Sequence, residues 1–297
     1  MRSILALLLA AASGPAFASL NIFACTPEWG SLATELGGER VSVFVATSPL
    51  QDPHQVQARP SVISRARRAD LVVCTGAELE IGWMPVVLTQ SGNPRIQLGQ
   101  RGYFEAASAA HLIEVPQRVD RAMGDVHPAG NPHLHLDPTN ISLVAKALAQ
   151  RMSVLDAKDA SYYLERELDF QKRWHAATLR WEREAEPLKG MPIIVHHTNL
   201  SYFIRWAGLI QVGTLEPRPG LPPSAAHLAE LLADLKQHPV KAVVRAAYND
   251  PRAADWLSKE AQVPEVVVPF TVGGTEGAKD LFGLYEDTIA RLKGALK

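Results

Sequence analysis

Several things are scarce in this 297-residue chain, and each scarcity excludes something. There are two cysteines, Cys25 and Cys74, and neither belongs to a CxxC pair, so a zinc site built of cysteines is excluded. The 30 basic and 31 acidic residues leave a formal net charge of −1. No basic tract is long enough to follow a phosphate backbone, which argues against a nucleic-acid partner. Beyond the N-terminal segment no run approaches the roughly 18 consecutive apolar residues of a membrane span. Three hydrolase signatures are also missing: HExxH, GxSxG and a clustered HxH-x-DH.

What is present begins at the N-terminus. "MRSILALLLAAASGPAFASL" carries Arg2, an apolar run from Ile4 to Ala12, a Gly-Pro break and Ala16-Phe17-Ala18. This reads as a secretory signal peptide cleaved after Ala18, and it predicts an exported product. "IFAC", ending at Cys25, does not read as a lipobox, because Phe23 is too bulky there and the segment suits a first strand. In an exported chain an even cysteine count favours a disulfide. Both cysteines end apolar runs, "LNIFAC" and "ADLVVC". If those are neighbouring parallel strands, the two sulfurs lie at one level; two buried free thiols are the alternative.

Short apolar runs alternate with helical patterns along most of the chain. Strands are predicted at Asn21–Cys25, Val41–Ala46, Leu71–Cys74, Pro192–Val195, Gln211–Thr214, Val240–Val244 and Val266–Pro269. Helices are predicted at Glu28–Leu36, Ser61–Arg68, Leu79–Ser91, Ala225–Lys236 and Ala253–Ala261. Such alternation predicts an α/β fold of parallel sheets flanked by helices. From Pro138 to Pro187 no strand pattern occurs. "DAKDASYYLERELDFQKRWHAATLRWEREAEPLKG" repeats its aromatics at helical intervals, like one helix of about 30 residues and ~45 Å. It is either the backbone between two lobes or a helix laid on one domain. No internal sequence repeat is visible.

In open α/β sheets, ligands bind beyond the C-terminal ends of strands. Several of the chain's 10 histidines sit in such places. His54 follows the second strand in "PLQDPHQVQARP". His127, His133 and His135 fall within nine residues, the last two in "NPHLHLDP" just before a helix. His196 and His197 follow "MPIIV". Three neutral imidazoles and one further ligand suit tetrahedral Zn²⁺, whereas Mg²⁺ and Ca²⁺ take oxygen. Residue by residue the plain alternative is a set of polar turn residues.

The motifs resemble, in order, those of the periplasmic substrate-binding proteins of zinc and manganese ABC transporters. "QDPHQVQARPS" is similar to the first-ligand motif and "NPHLHLDP" to the second. "ADLVVCTGAELEIGW" is similar to the strand, Gly turn and Trp between them. "HTNLSYFIRWAGL" is similar to the third-ligand motif, and "LEPRPGLPPSAAHLAELLADLK" to the Glu-Pro stretch and its helix. The resemblance covers nearly all of the mature chain.

It implies two α/β lobes, residues 19–155 and 189–297 behind a 1–18 signal peptide, joined by a long helix over 156–188. It implies a metal in the cleft between them, held by His54, His133 and His197. His135 falls where the family has Trp, and His127 and His135 lie in a loop similar to the His-containing loop of zinc-type members. The family's acidic fourth ligand has no counterpart in "VVVPFTVGG"; a water or Asp250 is the substitute. Asp52 and Glu80 are candidates to orient a ligand's second nitrogen. The implied function is periplasmic capture of Zn²⁺ by a monomer and its delivery to an ABC permease at the inner membrane, with a periplasmic metallochaperone as a second partner. The alternatives are a manganese carrier on the same fold and, further off, an exported zinc hydrolase.

Overall fold

The computed structural model describes residues 20–119 and 124–296; the signal-peptide segment lies outside them. The N-terminal half runs β1 (Leu20–Ala24), α1 (Pro27–Gly37), β2 (Val41–Val45), α2 (Pro60–Arg68), β3 (Leu71–Cys74), α3 (Met84–Ser91) and β4 (Tyr103–Glu105). Two helices follow, α4 (Pro138–Leu155) and α5 (Ala160–Ala185). The C-terminal half runs β5 (Pro192–Val195), α6 (Ser201–Ala207), β6 (Ile210–Thr214), α7 (Ala225–Asp234), β7 (Ala242–Ala246), α8 (Arg252–Ala261), β8 (Glu265–Val268) and α9 (Leu281–Gly294).

Each half folds into a four-stranded parallel sheet. The orders are β2-β1-β3-β4 and β6-β5-β7-β8, the same winding used twice. Strand β3 is apolar throughout and all four of its residues are buried, as expected for a strand covered on both faces. In each sheet the chain leaves the first strand toward one edge and later returns past it. The connections therefore diverge above the C-terminal ends of the central pairs, β1/β3 and β5/β7, which opens a crevice there.

Several boundaries differ from those read in the sequence. The helix expected from Leu79 starts only at Met84. Ala77 and Glu78 have left-handed backbone, φ 50° and 65°, and turn the chain so that Glu80 folds back onto the backbone amides of Thr75 and Gly76, at 2.8 and 3.1 Å. Strand β7 begins two residues later than expected, and β4 was not expected at all. The long helix is shorter than its pattern. A 3-10 turn over Ala157–Asp159 separates it from α4, and Asp156 accepts a 2.7 Å hydrogen bond from the Tyr163 hydroxyl at that break.

Helix α5 is the structural spine. Tyr163, Glu167, Phe170, Trp174, Ala177, Trp181 and Ala185 are its buried residues, spaced three or four apart in one stripe. The stripe packs on α1 and α4 on one side and on α9 on the other. One continuous apolar core thus runs from β1 and α1 through α4 and α5 to β5 and α9. Two smaller apolar clusters fill the outer faces of the two sheets. The helix is a packed member of both lobes rather than a free linker.

Cys25, directly after β1, and Cys74, the last residue of β3, form a disulfide, with Cα atoms 4.8 Å apart across 49 residues of sequence. A loop of that length gives a stabilisation of about 2–4 kcal/mol by restricting the unfolded chain. The double replacement Cys25→Ala/Cys74→Ala is expected to lose about that much in urea unfolding. Wild-type protein unfolded in reducing buffer should match the variant; a variant as stable as the oxidised protein would show that the bridge contributes nothing.

Candidate metal centre

Three connections bring histidines to the crevice. The loop after β2 folds on itself at Asp52, whose Oδ1 accepts from the His54 backbone N–H at 2.9 Å and from the His54 ring Nδ1 at 2.8 Å. The indole of Trp83 donates to the Pro53 carbonyl at 3.2 Å and fixes the loop from below. A carboxylate can only accept, so the His54 hydrogen sits on Nδ1 and its Nε2 presents a lone pair.

His133 is held by a turn that Asn131 builds. The Asn131 side-chain oxygen accepts from His133 N at 3.0 Å. Its amide donates to Glu114 at 2.8 Å and to the Thr198 carbonyl, beyond β5, at 2.9 Å. Gly130 precedes it with φ +115°, where an added Cβ would meet the Ile113 carbonyl at 2.7 Å. After His133 comes a 3-10 turn, and then Asp137 caps α4 by accepting from Thr139 N at 2.8 Å, with Pro138 in its first turn.

His197 follows β5. Its Nδ1 donates to Glu216 Oε2 at 2.7 Å, so its Nε2 also faces outward with a lone pair. The same carboxylate oxygen accepts from Gly220 N at 2.8 Å. Glu216 stands just beyond β6, so each of these two histidines is oriented by an acid on a strand-end loop of its own lobe.

The three rings meet. Their centres are 5.4 Å (His54–His133), 5.8 Å (His133–His197) and 6.1 Å (His54–His197) apart, with interplanar angles near 77°. Three imidazoles on one tetrahedral ion would hold their centres about 5 Å apart, so this is a slightly open form of that arrangement. His133 is 2 % exposed, and its Nδ1 has no hydrogen-bond partner among the described residues. The Nδ1 atoms of His135 and His196 and the Trp181 Nε1 are in the same state, so it is the convergence of the rings and not this atom that singles out His133. Burial, reinforced by the charges of His54 and His197, pushes the His133 imidazole well below its ordinary pKa. It is thus neutral and able to ligate. Burial pushes the Asp52 carboxyl up, but its hydrogen bonds to His54 and the charge there outweigh this and hold it below the usual value.

The neighbouring candidates separate. His127 joins the cluster, its ring centre 5.3 Å from that of His54. His135 does not: it is fully buried, its Nε2 donates to the Phe270 carbonyl at 2.8 Å, and its Nδ1 lies 3.6 Å from the buried Glu28. It is a core histidine between β1–α1 and the segment after β8. His196 is also buried but lines a cavity of about 770 Å³ behind the cluster, with Asp52, Glu216, Asp250 and Trp256. Asp250 is engaged there by the Arg252 guanidinium, which holds its carboxyl down to about 2. Glu80 braces the turn after β3 instead of a histidine, and burial raises its carboxyl to about 7. Among the described residues, the group of three whose ligand atoms all lie within 4.8 Å of one another is Cys25, Cys74 and Glu80 instead of the histidines. Its sulfurs are bonded to each other, so it offers no thiolate.

Sequence reasoning missed the role of Glu216. The available signal was its position, an acid directly after a predicted strand in "TLEPRPG".

Known proteins share both sequence and fold with this chain. The high-affinity zinc uptake system protein ZnuA of Bacillus subtilis is 24% identical over 250 residues, covering 83% of this chain and 76% of that protein. The manganese ABC transporter substrate-binding lipoprotein PsaA of Streptococcus pneumoniae is 21% identical over 249 residues, 81% and 76% of the two chains. A crystal structure of ZnuA superposes with a TM-score of 0.76 at 20% identity, over 94% of this chain and 98% of that one. The family model described as zinc-uptake complex component A, periplasmic, matches residues 22–295, and the chain belongs to that family of substrate-binding transport proteins, which are not enzymes.

Proposed function

We propose that this protein captures Zn²⁺ in the periplasm and delivers it to an ABC permease at the inner membrane. The observation that carries this reading is the meeting of His54 and His197, one from each lobe, with the buried His133 between them. Imidazole suits Zn²⁺, whereas Mn²⁺ prefers carboxylate and other oxygen ligands. The carboxylates in contact with these rings, Asp52 and Glu216, stand behind them on the Nδ1 side. They orient the ligands and balance the charge of the ion without occupying its coordination sphere.

In this reading residues 1–18 are removed on export. Residues 19–155 and 189–297 are the lobes, and 156–188 ties them together. The protein acts as a monomer, taking zinc from solution or from a periplasmic metallochaperone. Release requires that His197 part from His54. Because α5 is packed into both lobes, that separation is a small shift rather than a wide hinge opening.

A competition titration of metal-stripped mature protein with Zn²⁺ and Mn²⁺ tests the reading. One tight zinc per chain, with manganese far weaker, is expected. Comparable manganese affinity would replace the reading with a manganese carrier, the cargo named for the Streptococcus pneumoniae relative. No tight binding of either metal would sink it.

A further inference from the structure

His127 lies outside the three-histidine set, yet it faces into it. Its Nε2 is 3.3 Å from Nε2 of His54, with the two rings tilted by 32°. Two neutral imidazole nitrogens approach this closely only with a hydrogen between them or a cation beside both. The His54 hydrogen is on Nδ1, held by Asp52. The His54 Nε2 therefore presents its lone pair toward His127, and a cation placed between the two Nε2 atoms would engage both.

The separation fits a particular ion geometry. Two nitrogens bound at about 2.0–2.1 Å to one tetrahedral Zn²⁺ lie about 3.3–3.4 Å apart. His127 also lines a small cavity of about 190 Å³ together with His133 and His197. On the opposite side, the Phe270 ring stands edge-on against His133, with centres 5.2 Å apart, and closes the cluster toward the segment after β8. That segment, "FTVGG", brings no carboxylate.

We propose that His127 supplies the fourth ligand and completes an all-imidazole tetrahedral Zn²⁺ site with His54, His133 and His197. The inference rests on the reading of those three as the capture site and extends it. Four neutral nitrogens give the ion no first-sphere oxygen, which disfavours Mn²⁺ on ligand softness alone. They leave the balancing charge to Asp52 and Glu216 behind the rings. The loop of Gly124–Gly130 thereby becomes part of the site instead of a surface decoration.

The test is zinc-edge X-ray absorption on zinc-loaded wild-type protein and on the His127→Ala and His127→Gln variants, with zinc affinity measured by chelator competition. Wild type should show four imidazoles and no oxygen in the first sphere. The variants should show three imidazoles and one oxygen, and their affinity should fall by at least the ~10–100-fold that loss of an outer-sphere partner brings. Thermal unfolding of the metal-free variants controls for folding, and the glutamine variant keeps the loop's bulk. Three imidazoles plus oxygen in the wild type, with affinity unchanged in both variants, overturns the assignment and leaves the zinc carrier standing. Failure of wild type to bind zinc tightly overturns both.

Discussion

Replacing His133 by leucine is expected to abolish tight zinc capture while leaving the metal-free protein as stable as before, or more so. The two effects come from one side chain. His133 is 2 % exposed and its Nδ1 has no hydrogen-bond partner among the described residues. An unsatisfied buried polar atom costs about 1–3 kcal/mol, and leucine removes it. A hydrophobic replacement of similar volume costs less than about 1.5 kcal/mol in packing. The balance lies near zero or on the stabilising side.

Binding moves the other way. A ligand present at 100 times its Kd stabilises the folded state by about 2.7 kcal/mol. Wild type should show a stabilisation of that order on zinc addition, and the leucine variant none. Acidity separates the two proteins further. Burial lowers the pKa of His133, and lowers that of His127 to about 4, against about 6.5 for an unfolded histidine. Between those values the unfolded chain binds protons that the folded chain does not. These two histidines therefore make their full contribution to the stability of the metal-free wild type above pH ~6.5, and that contribution is lost as pH falls toward about 4. The leucine variant should lose less over the same interval, because one of the two depressed groups is gone. Thermal unfolding with and without zinc at several pH values measures all three effects. A variant still stabilised by zinc as strongly as wild type would remove His133 from the site.

The sequence showed the fold unevenly, and the reasons are physical. Strands β3 and β5 were read to the residue because buried parallel strands are uninterrupted apolar runs. Strand β4 was invisible: "YFE" is three residues at a sheet edge, held by pairing with β3 and not by its own pattern. The start of α3 was misplaced because Leu79–Trp83 has a helical composition, yet Glu80 is drawn back to the amides of Thr75 and Gly76. Local propensity lost to a buried hydrogen-bond pair. The repeated winding of the two sheets left no trace, because topology depends on where apolar runs fall and not on which residues fill them.

The site divides in the same way. His54, His133 and His197 sat in motifs, and the structure brings their rings together. His127 and His135 looked alike in one loop, and a single 3-10 turn sends them to different fates. His127 turns toward His54, whereas His135 enters the core against Trp29 and Phe270. Spacing of eight residues across a proline-glycine turn says nothing about direction. The acids were harder still. Asp52 orients His54 through a contact two residues away, which a local motif can encode. Glu216 orients His197 across 19 residues and a helix, a distance at which only the strand-end rule gave a hint.

Trp174→Ala is expected to lower stability by about 3–5 kcal/mol, the range for removing a buried Trp or Phe, which is a fifth or more of the ~5–15 kcal/mol that a typical protein has. Trp174 is the centre of the spine. Its ring lies 5.2 Å from Phe170, 5.1 Å from Trp181, 5.0 Å from Phe282 and 5.5 Å from Tyr285. Phe282 and Tyr285 belong to α9 in the C-terminal lobe. The Trp174 indole N–H donates to the Pro138 carbonyl at 2.9 Å, and Pro138 opens α4 directly after the His133 turn. One side chain thus ties α9, α5 and the segment that carries His133 together. Alanine removes all of this and leaves a void that a helix fixed at both lobes cannot collapse to fill. Trp174→Phe keeps most of the ring packing and loses the hydrogen bond, worth about 1 kcal/mol. It isolates the effect on the site. If the Pro138 bond positions His133, the phenylalanine variant should bind zinc measurably more weakly although it remains folded. Urea unfolding and zinc titration of both variants measure the two contributions. An alanine variant within 1 kcal/mol of wild type would mean that the lobes hold together without this stack, and the view of α5 as a rigid spine would have to be abandoned.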